Sequence, residues 1–339
     1  MSDAIDDVID EGLKAVEAEN LDVADEALEK AQGLGGENHV RVLHLHGLIA
    51  WAKGEIERAA GFLMQAVDLV PPRGEIYLDT AECLMALGQD LDEAEAVVRT
   101  LLQQEAVSAD SLDQGRLLLA QIRLEDDDPE EALEILDTIR ETLKKHPAYF
   151  STRAMVLEAD GHTEQALEAL REAVKVDPKD PDLHYQLGLL LGFSGQAGAS
   201  TASMLKVLEL DNQERDEAGH PALTDPEREG LRGAFEELLE EIPERLLKLV
   251  ATVAISVQNR PTSSQVEAGI NPRSTVAFLG TPKTEATEPA LSGIVLMRDL
   301  LLEEAQAEDE DLQALLFVGL FEELRAFFKL ENLEVVSAE

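Results

Sequence analysis

The chain has 339 residues, and 70 acidic side chains against 28 basic ones give it a formal net charge of −42. A surface of that sign repels a phosphate backbone and anionic lipid, so neither nucleic acid nor a membrane is an expected partner. Hydrophobic residues make up 45% and aromatics only 4%, which predicts a large core built mostly from helices and argues against wholesale disorder.

The acidity reads first as a solvated surface; a saline habitat and a preference for basic partners are the sharper readings. The opening stretch, MSDAIDDVIDEG, lacks the charged-then-apolar order of a signal peptide. No run approaches ~20 uninterrupted apolar residues; the richest, Leu246 to Val257, is short and carries Lys248. The expected location is cytoplasmic. Cys83 stands alone, so an intramolecular disulfide and a paired-cysteine metal site are both excluded.

A repeat begins at once. A small residue is followed twelve positions on by another: Gly12 with Ala24, Gly47 with Ala59, Ala120 with Ala132, Ala154 with Ala166. Gly188 pairs with Ser200 in the same way, and Ala81 with Ala94 after one extra residue. The first members fall at positions 12, 47, 81, 120, 154 and 188, close to 34 apart except for a longer step near QQEAVSADS. Two short helices pack closely only where small residues sit at their crossing. A third small residue, as at Ala31, Ala66 and Ala173, lets the next pair stack, and Pro71, Pro178 or Asn212 is expected to end each second helix.

Residues 147–180, PAYFSTRAMVLEADGHTEQALEALREAVKVDPKD, resemble a tetratricopeptide repeat (TPR) in full register. Ala154, Ala166, Ala173 and Pro178 fall on that family's signature positions, as do Gly47, Ala59, Ala66 and Pro71 in the second repeat. The resemblance covers about six helix–turn–helix units over residues 1–212. It implies an α-solenoid whose concave face, lined by the first helix of each repeat, binds peptides or helices. On that face the expected groove residues are Arg41, His44, Leu48 and Trp51 in repeat two, then Leu78, Glu82 and Met85 in repeat three. Repeat four offers Leu117, Gln121 and Leu124; repeat five Ser151, Met155 and Glu158; repeat six Tyr185 and Leu189. The lysine–asparagine clamp of chaperone-binding members is not visible. The expected occupant is therefore an apolar protein or peptide segment, with the chain's own C-terminal region as one candidate. Some of these residues are equally expected to be inter-repeat core. His44 and His46, two apart on a helix, point to different faces and make a poor metal pair.

Residues 213–227, QERDEAGHPALTDPE, are polar with two prolines and read as a linker. From 228 the pattern no longer repeats. A helical stretch precedes Pro243, three strand-like stretches follow (VATVAISVQ, PRSTVAFLGTP, SGIVLMRD), and a long last helix spans EDEDLQALLFVGLFEELRAFFKL. That order predicts a small α+β domain over 228–339. The order FEELLEEIPERLLKLVATVAISVQNRP, VAFLGTPKTEA, GIVLMRDLL, LFVGLFEELRAFF is similar to the minimal matrix-metalloprotease-like zincins of bacteria. In that family two histidines one helical turn apart bind zinc, and the glutamate after the first polarises the water.

The resemblance places Phe321 at the first histidine, Glu322 at the glutamate and Arg325 at the second histidine. Phe328 replaces the family's glycine, and Glu331 falls near the third ligand. Phenylalanine offers no metal ligand and arginine stays cationic. No histidine follows His220, so no catalytic residue, metal or cofactor is expected. Glu322 is either a relic of the general base or a surface residue paired with Arg325, and Phe317, Phe321, Phe327 and Phe328 are expected to fill the core. No phosphate-binding glycine loop or nucleophile elbow occurs. Cys83 is expected as a buried thiol, and the acidic runs at 126–131 and 308–312 as helix starts. The sequence thus reads as a mainly α, non-enzymatic adaptor. A divergent metal-dependent peptidase and a purely structural C-terminal cap remain the alternatives.

Overall fold

The computed structural model describes residues 2–36, 39–69, 73–88, 91–308 and 311–330. The chain divides into two compact units, residues 1–178 and 179–339.

The first unit consists of five helix pairs. They are α1 (Ser2–Glu17) with α2 (Leu21–Ala31), α3 (Val40–Ala52) with α4 (Ile56–Asp68), and α5 (Gly74–Leu87) with α6 (Leu91–Leu102). Then come α7 (Ala109–Glu125) with α8 (Pro129–Asp137), and α9 (Pro147–Ala159) with α10 (Thr163–Val176). The small residues lie where the helices meet. A Cβ on Gly47 would stand 2.6 Å from the Leu63 side chain, and one on Gly12 2.6 Å from Leu45. Ala24, Ala59, Ala81, Ala94, Ala120 and Ala132 have no accessible surface, and Ala154 and Ala166 are buried with them. Pro71 lies outside the described residues.

Each turn between paired helices holds one residue in the left-handed region, always seven after the small residue. It is glycine at Gly54, Gly88 and Gly161, but Glu19 (φ 55°) in repeat one and Asp127 (φ 59°) in repeat four. Glycine adopts that conformation without the steric cost a side chain brings.

The second unit opens with the sixth pair, α11 (Pro181–Phe193) and α12 (Ala197–Ala218). Gly188 keeps the crossing close, since a Cβ there would stand 3.0 Å from Met204. Two helices follow, α13 (Asp225–Glu241) and α14 (Glu244–Val250), then β1 (Ala254–Gln258), α15 (Ser263–Glu267), β2 (Val276–Thr281) and β3 (Ala290–Met297). The last helices are α16 (Arg298–Glu308) and α17 (Leu312–Phe328). The sheet order is β1-β3-β2. β3 pairs in parallel with β1, Ile255 opposite Ile294, and antiparallel with β2, Phe278 opposite Ile294, with a bulge at Leu279/Gly280. Phe235, Ile294, Leu296, Leu316, Leu320 and Leu324 anchor its core. Gly319 lets α17 lie directly on β2, where a Cβ would meet Val276 at 2.8 Å.

Two boundaries differ from the sequence reading. α12 does not end at Asn212, and residues 213–218, expected as linker, complete it. Polarity alone does not stop a helix; Gly219, left-handed at φ 71°, does. Residues 225–227 open α13 under a capping box of Thr224 and Glu227. The helices α15 and α16 had no counterpart in that reading.

Candidate interaction surface

In the first unit the first helices of successive repeats, α3, α5, α7 and α9, pack side by side. Their inner faces are read most simply by distance from the small residue. Three positions before it the side chain is turned into the neighbouring helix. His44 is only 3% exposed and its Nε2 meets Asp79 Oδ2 at 2.5 Å; Leu78 and Leu117 are buried, and Ser151 is half-buried. Further back, Arg41 is buried and held by Asp6, at 2.7 Å, and Asp10 of α1. Arg41, His44, Leu78 and Leu117, expected to face a groove, are thus spent on joining repeats. Such polar pairs satisfy groups that burial would otherwise penalise.

The positions one and four after the small residue remain accessible. Leu48, Gln121, Trp51, Met85 and Leu124 are half-buried, and Glu82, Met155 and Glu158 are exposed. Gln121 donates to Thr152 Oγ1 at 3.0 Å, bridging α7 to α9. Glu82 keeps accessible surface, yet crowding by the wall strips water from its carboxyl and pushes it above its usual range, with Asp79 adding to the effect. Cys83, on the opposite side of α5, is fully buried and its thiol is pushed up to about 11 by burial, so it is no nucleophile.

The second unit treats its repeat differently. Tyr185, three before Gly188, accepts a hydrogen bond from Asn271 Nδ2 at 2.8 Å, and the Arg273 guanidinium lies 5.0 Å over its ring. Arg273 also donates twice to Asp211 of α12, at 3.0 and 3.1 Å, and once to Asp182 of α11 at 2.6 Å. Asp211 is 8% exposed. Arg260 is bonded to Glu303, and Arg215 to Asp299, which also receives Arg298. A cleft of about 760 Å³ opens among Arg215, Arg260, Arg273, Asp211, Glu303 and His220. Arg298 and Thr224 together hold the Glu227 carboxyl down at about 2, Thr224 contributing more. Leu189 and Phe193 stay exposed farther along α11. No sequence pattern announced Asn271 or Arg273; the Asn-Pro-Arg turn after a short helix was the only local signal.

On α17, Phe321, Phe327 and Phe328 are buried and Phe317 packs against them, as the sequence reading expected. Phe317 and Phe321 stack at 4.3 Å. Glu322 and Arg325 are exposed, and Glu331 lies outside the described residues. The carboxylate the reading passed over is Glu323. It is half-buried and its Oε2 accepts the Phe278 backbone N–H of strand β2 at 3.0 Å. Burial raises it to about 7, against the pull of that N–H and with help from Glu322. Farther along, Lys283 N–H donates to the Phe327 carbonyl at 2.8 Å. The helix thereby covers a strand edge that would otherwise offer free backbone groups. Among the described residues no group of three or more His, Cys, Asp or Glu side chains is placed to hold a metal ion. Nor, among them, is any helix long and apolar enough to cross a membrane.

The profile of the TPR repeat family matches residues 159–193. A curated relative, the uncharacterized protein y4yS of Sinorhizobium fredii (strain NBRC 101917 / NGR234), is 29% identical over 119 residues. That alignment covers 35% of this chain and 62% of the relative. Among solved structures, pilF of Pseudomonas aeruginosa superposes with a TM-score of 0.51 at 14% identity, covering 63% of this chain and 98% of that one. TTC0263, described as a thermophilic TPR protein of Thermus thermophilus, gives 0.47 at 18% identity, covering 55% and 98%. With the small-residue crossings at their recurring positions, the profile match and the pilF superposition identify the helix pairs: the chain carries tetratricopeptide repeats, followed by a small three-stranded α+β region.

Proposed function

We propose that the chain is a protein-interaction scaffold whose binding surface is the inner wall of repeats two to five. The observation that carries this reading is the accessible row Leu48, Trp51, Met85, Leu124 and Met155, apolar side chains at equivalent places on successive first helices. Contiguous apolar surface of this kind is retained where a partner covers it. The bound element would be a peptide or helix laid along the first helices. The rest of the chain would serve this role without catalysis. A zincin-like reading of residues 228–339, with its chemistry lost, is supported by Phe321, which is 5% exposed and sits among core side chains where a ligand would need to face solvent. A capping role for the same region is supported by Asn271 and Arg273 on the inner face of repeat six.

The test is affinity capture from extracts of the source cells with the whole chain and with Met155→Glu and Met85→Glu variants. Both side chains contact solvent, so the variants keep the fold, as circular dichroism would verify. Partners retained by the parent chain should be lost from both. Capture at full strength by both variants would refute the surface.

A further inference from the structure

The geometry points to a cationic amphipathic segment, apolar on one side and carrying lysine or arginine on the other, as the occupant of the inner wall of repeats two to five. This rests on the binding surface proposed above and gives its ligand a chemistry.

Among the described residues the wall has carboxylates to spare and no available cation. α3, α5, α7 and α9 carry four arginines, and each is already held. Arg41 is bound by Asp6 and Asp10, Arg116 by Asp113, Arg123 by Glu95, Asp126 and Glu131, and Arg153 by Asp137. Lys53, just past α3, is bound by Asp25 of α2. Against these, Glu82, Glu125 and Glu158 form no ion pair among the described residues, and all three are exposed beside the apolar row. The small side chains Ala52, Ala86 and Ala159, each five after its repeat's small residue, leave room alongside them. Unpaired carboxylates set in an apolar wall disfavour an acidic ligand and favour one that brings its own positive charge. Glu82 shows the tension most directly, since its carboxyl is crowded by burial and by Asp79 together.

The chain contains its own precedent. In repeat six the equivalent inner face is engaged by a cation from outside the repeat: Arg273 lies over Tyr185 and bonds Asp182 and Asp211. One arginine there satisfies an aromatic and two acids on a single first-and-second helix pair. A partner side chain would do the same at Glu82, Glu125 or Glu158, its apolar neighbours resting on Met85, Leu124 and Met155.

Trp51 is the chain's single tryptophan and lies on this wall, so its emission reports occupancy. The experiment titrates the whole chain, at near-physiological salt, with three short amphipathic peptides of one pattern: leucine–lysine, leucine–glutamine and leucine–glutamate. The leucine–lysine peptide should shift Trp51 emission saturably and bind at least ten-fold tighter than the leucine–glutamine one, with the leucine–glutamate peptide silent. The combined Glu82→Gln, Glu125→Gln, Glu158→Gln variant should lose ten-fold or more. A variant changed equally in charge on the exposed side of α13 (Glu236→Gln, Glu237→Gln, Glu240→Gln) should lose less than two-fold. If the two triple variants weaken binding alike, only the overall net charge attracts the peptide and the inference is overturned. Equal binding of the leucine–glutamine peptide also overturns it, while leaving the apolar surface standing. Silence of Trp51 toward all three peptides would sink the surface itself.

Discussion

Repeat five and repeat six are built alike and end in opposite electrostatic states. On α9 the inner-face side chains Met155 and Glu158 are exposed, and Glu158 has no ion-pair partner among the described residues. On α11, Tyr185 and Asp182 are taken up by Asn271 and Arg273. The helices themselves do not decide whether a repeat face is available. What decides is whether a cation and a hydrogen-bond donor are delivered to it from another part of the chain.

The sharpest way to break this comparison is Arg273→Ala. It leaves Asp211 buried with only Arg260, 3.9 Å away, for compensation. Removing one partner of a buried pair costs about 3–5 kcal/mol. The expected result is a lowered unfolding midpoint for the second unit, with faster hydrogen exchange in α11 and α12, and little change in α3 to α9. A uniform loss across both units would show that the seal is not local. In the first unit the corresponding stress is steric. Gly47→Val drives a Cβ into Leu63, and overpacking of this kind costs about 2–3 kcal/mol. Denaturant unfolding should show it in the first unit alone.

Glu323→Gln tests the second unit at its strand edge. The Glu323 carboxyl is raised in the fold to about 7 from an ordinary 4.5. The folded state therefore holds its proton more tightly than the unfolded one. The associated stability is complete below about 4.5 and is lost as pH rises through about 7. Glutamine still accepts the Phe278 N–H and does not ionise. At pH 8 the variant should be the more stable by about 2 kcal/mol, a figure reduced from the full linkage value because part of the side chain meets solvent. Below pH 4.5 the two should converge, and a constant difference across the range would refute the assignment. The smallest effect belongs to the turns. Glu19→Gly relieves a side chain at φ 55° and should stabilise the first repeat by about 1 kcal/mol. The same change at a helix interior, such as Ala27→Gly, should destabilise by a similar amount.

The crossings were legible because close packing restricts a single position to small side chains, and Gly12, Gly47 and Gly188 state that restriction residue by residue. The turn position was written almost as plainly in Gly54, Gly88, Gly161 and Gly195, but Glu19 and Asp127 hid its regularity. The inner wall was only half legible. Helical spacing selects Arg41, His44, Leu48 and Trp51 together, and only tertiary packing separates the first two, which join repeats, from the last two, which meet solvent. Arg273 and Asp211 lie 62 residues apart, and no local pattern links them. Glu323 looked like one more acid in a Glu-Glu run, because its burial depends on how closely Gly319 lets α17 approach β2. The expected linker failed for a different reason: a polar composition was taken as a break where only Gly219 supplies one.

The Arg273 contacts also bear on how a chain of this kind changes length. A helix pair inserted among repeats two to five would meet neighbours cut to the same pattern and would add to the recognition surface. A pair inserted after α12 would have to separate Asp182 and Asp211 from the arginine that completes them, stranding a buried carboxylate. Duplication is therefore tolerated upstream of Lys179 and opposed downstream of it, which makes the number of repeats adjustable from one side only.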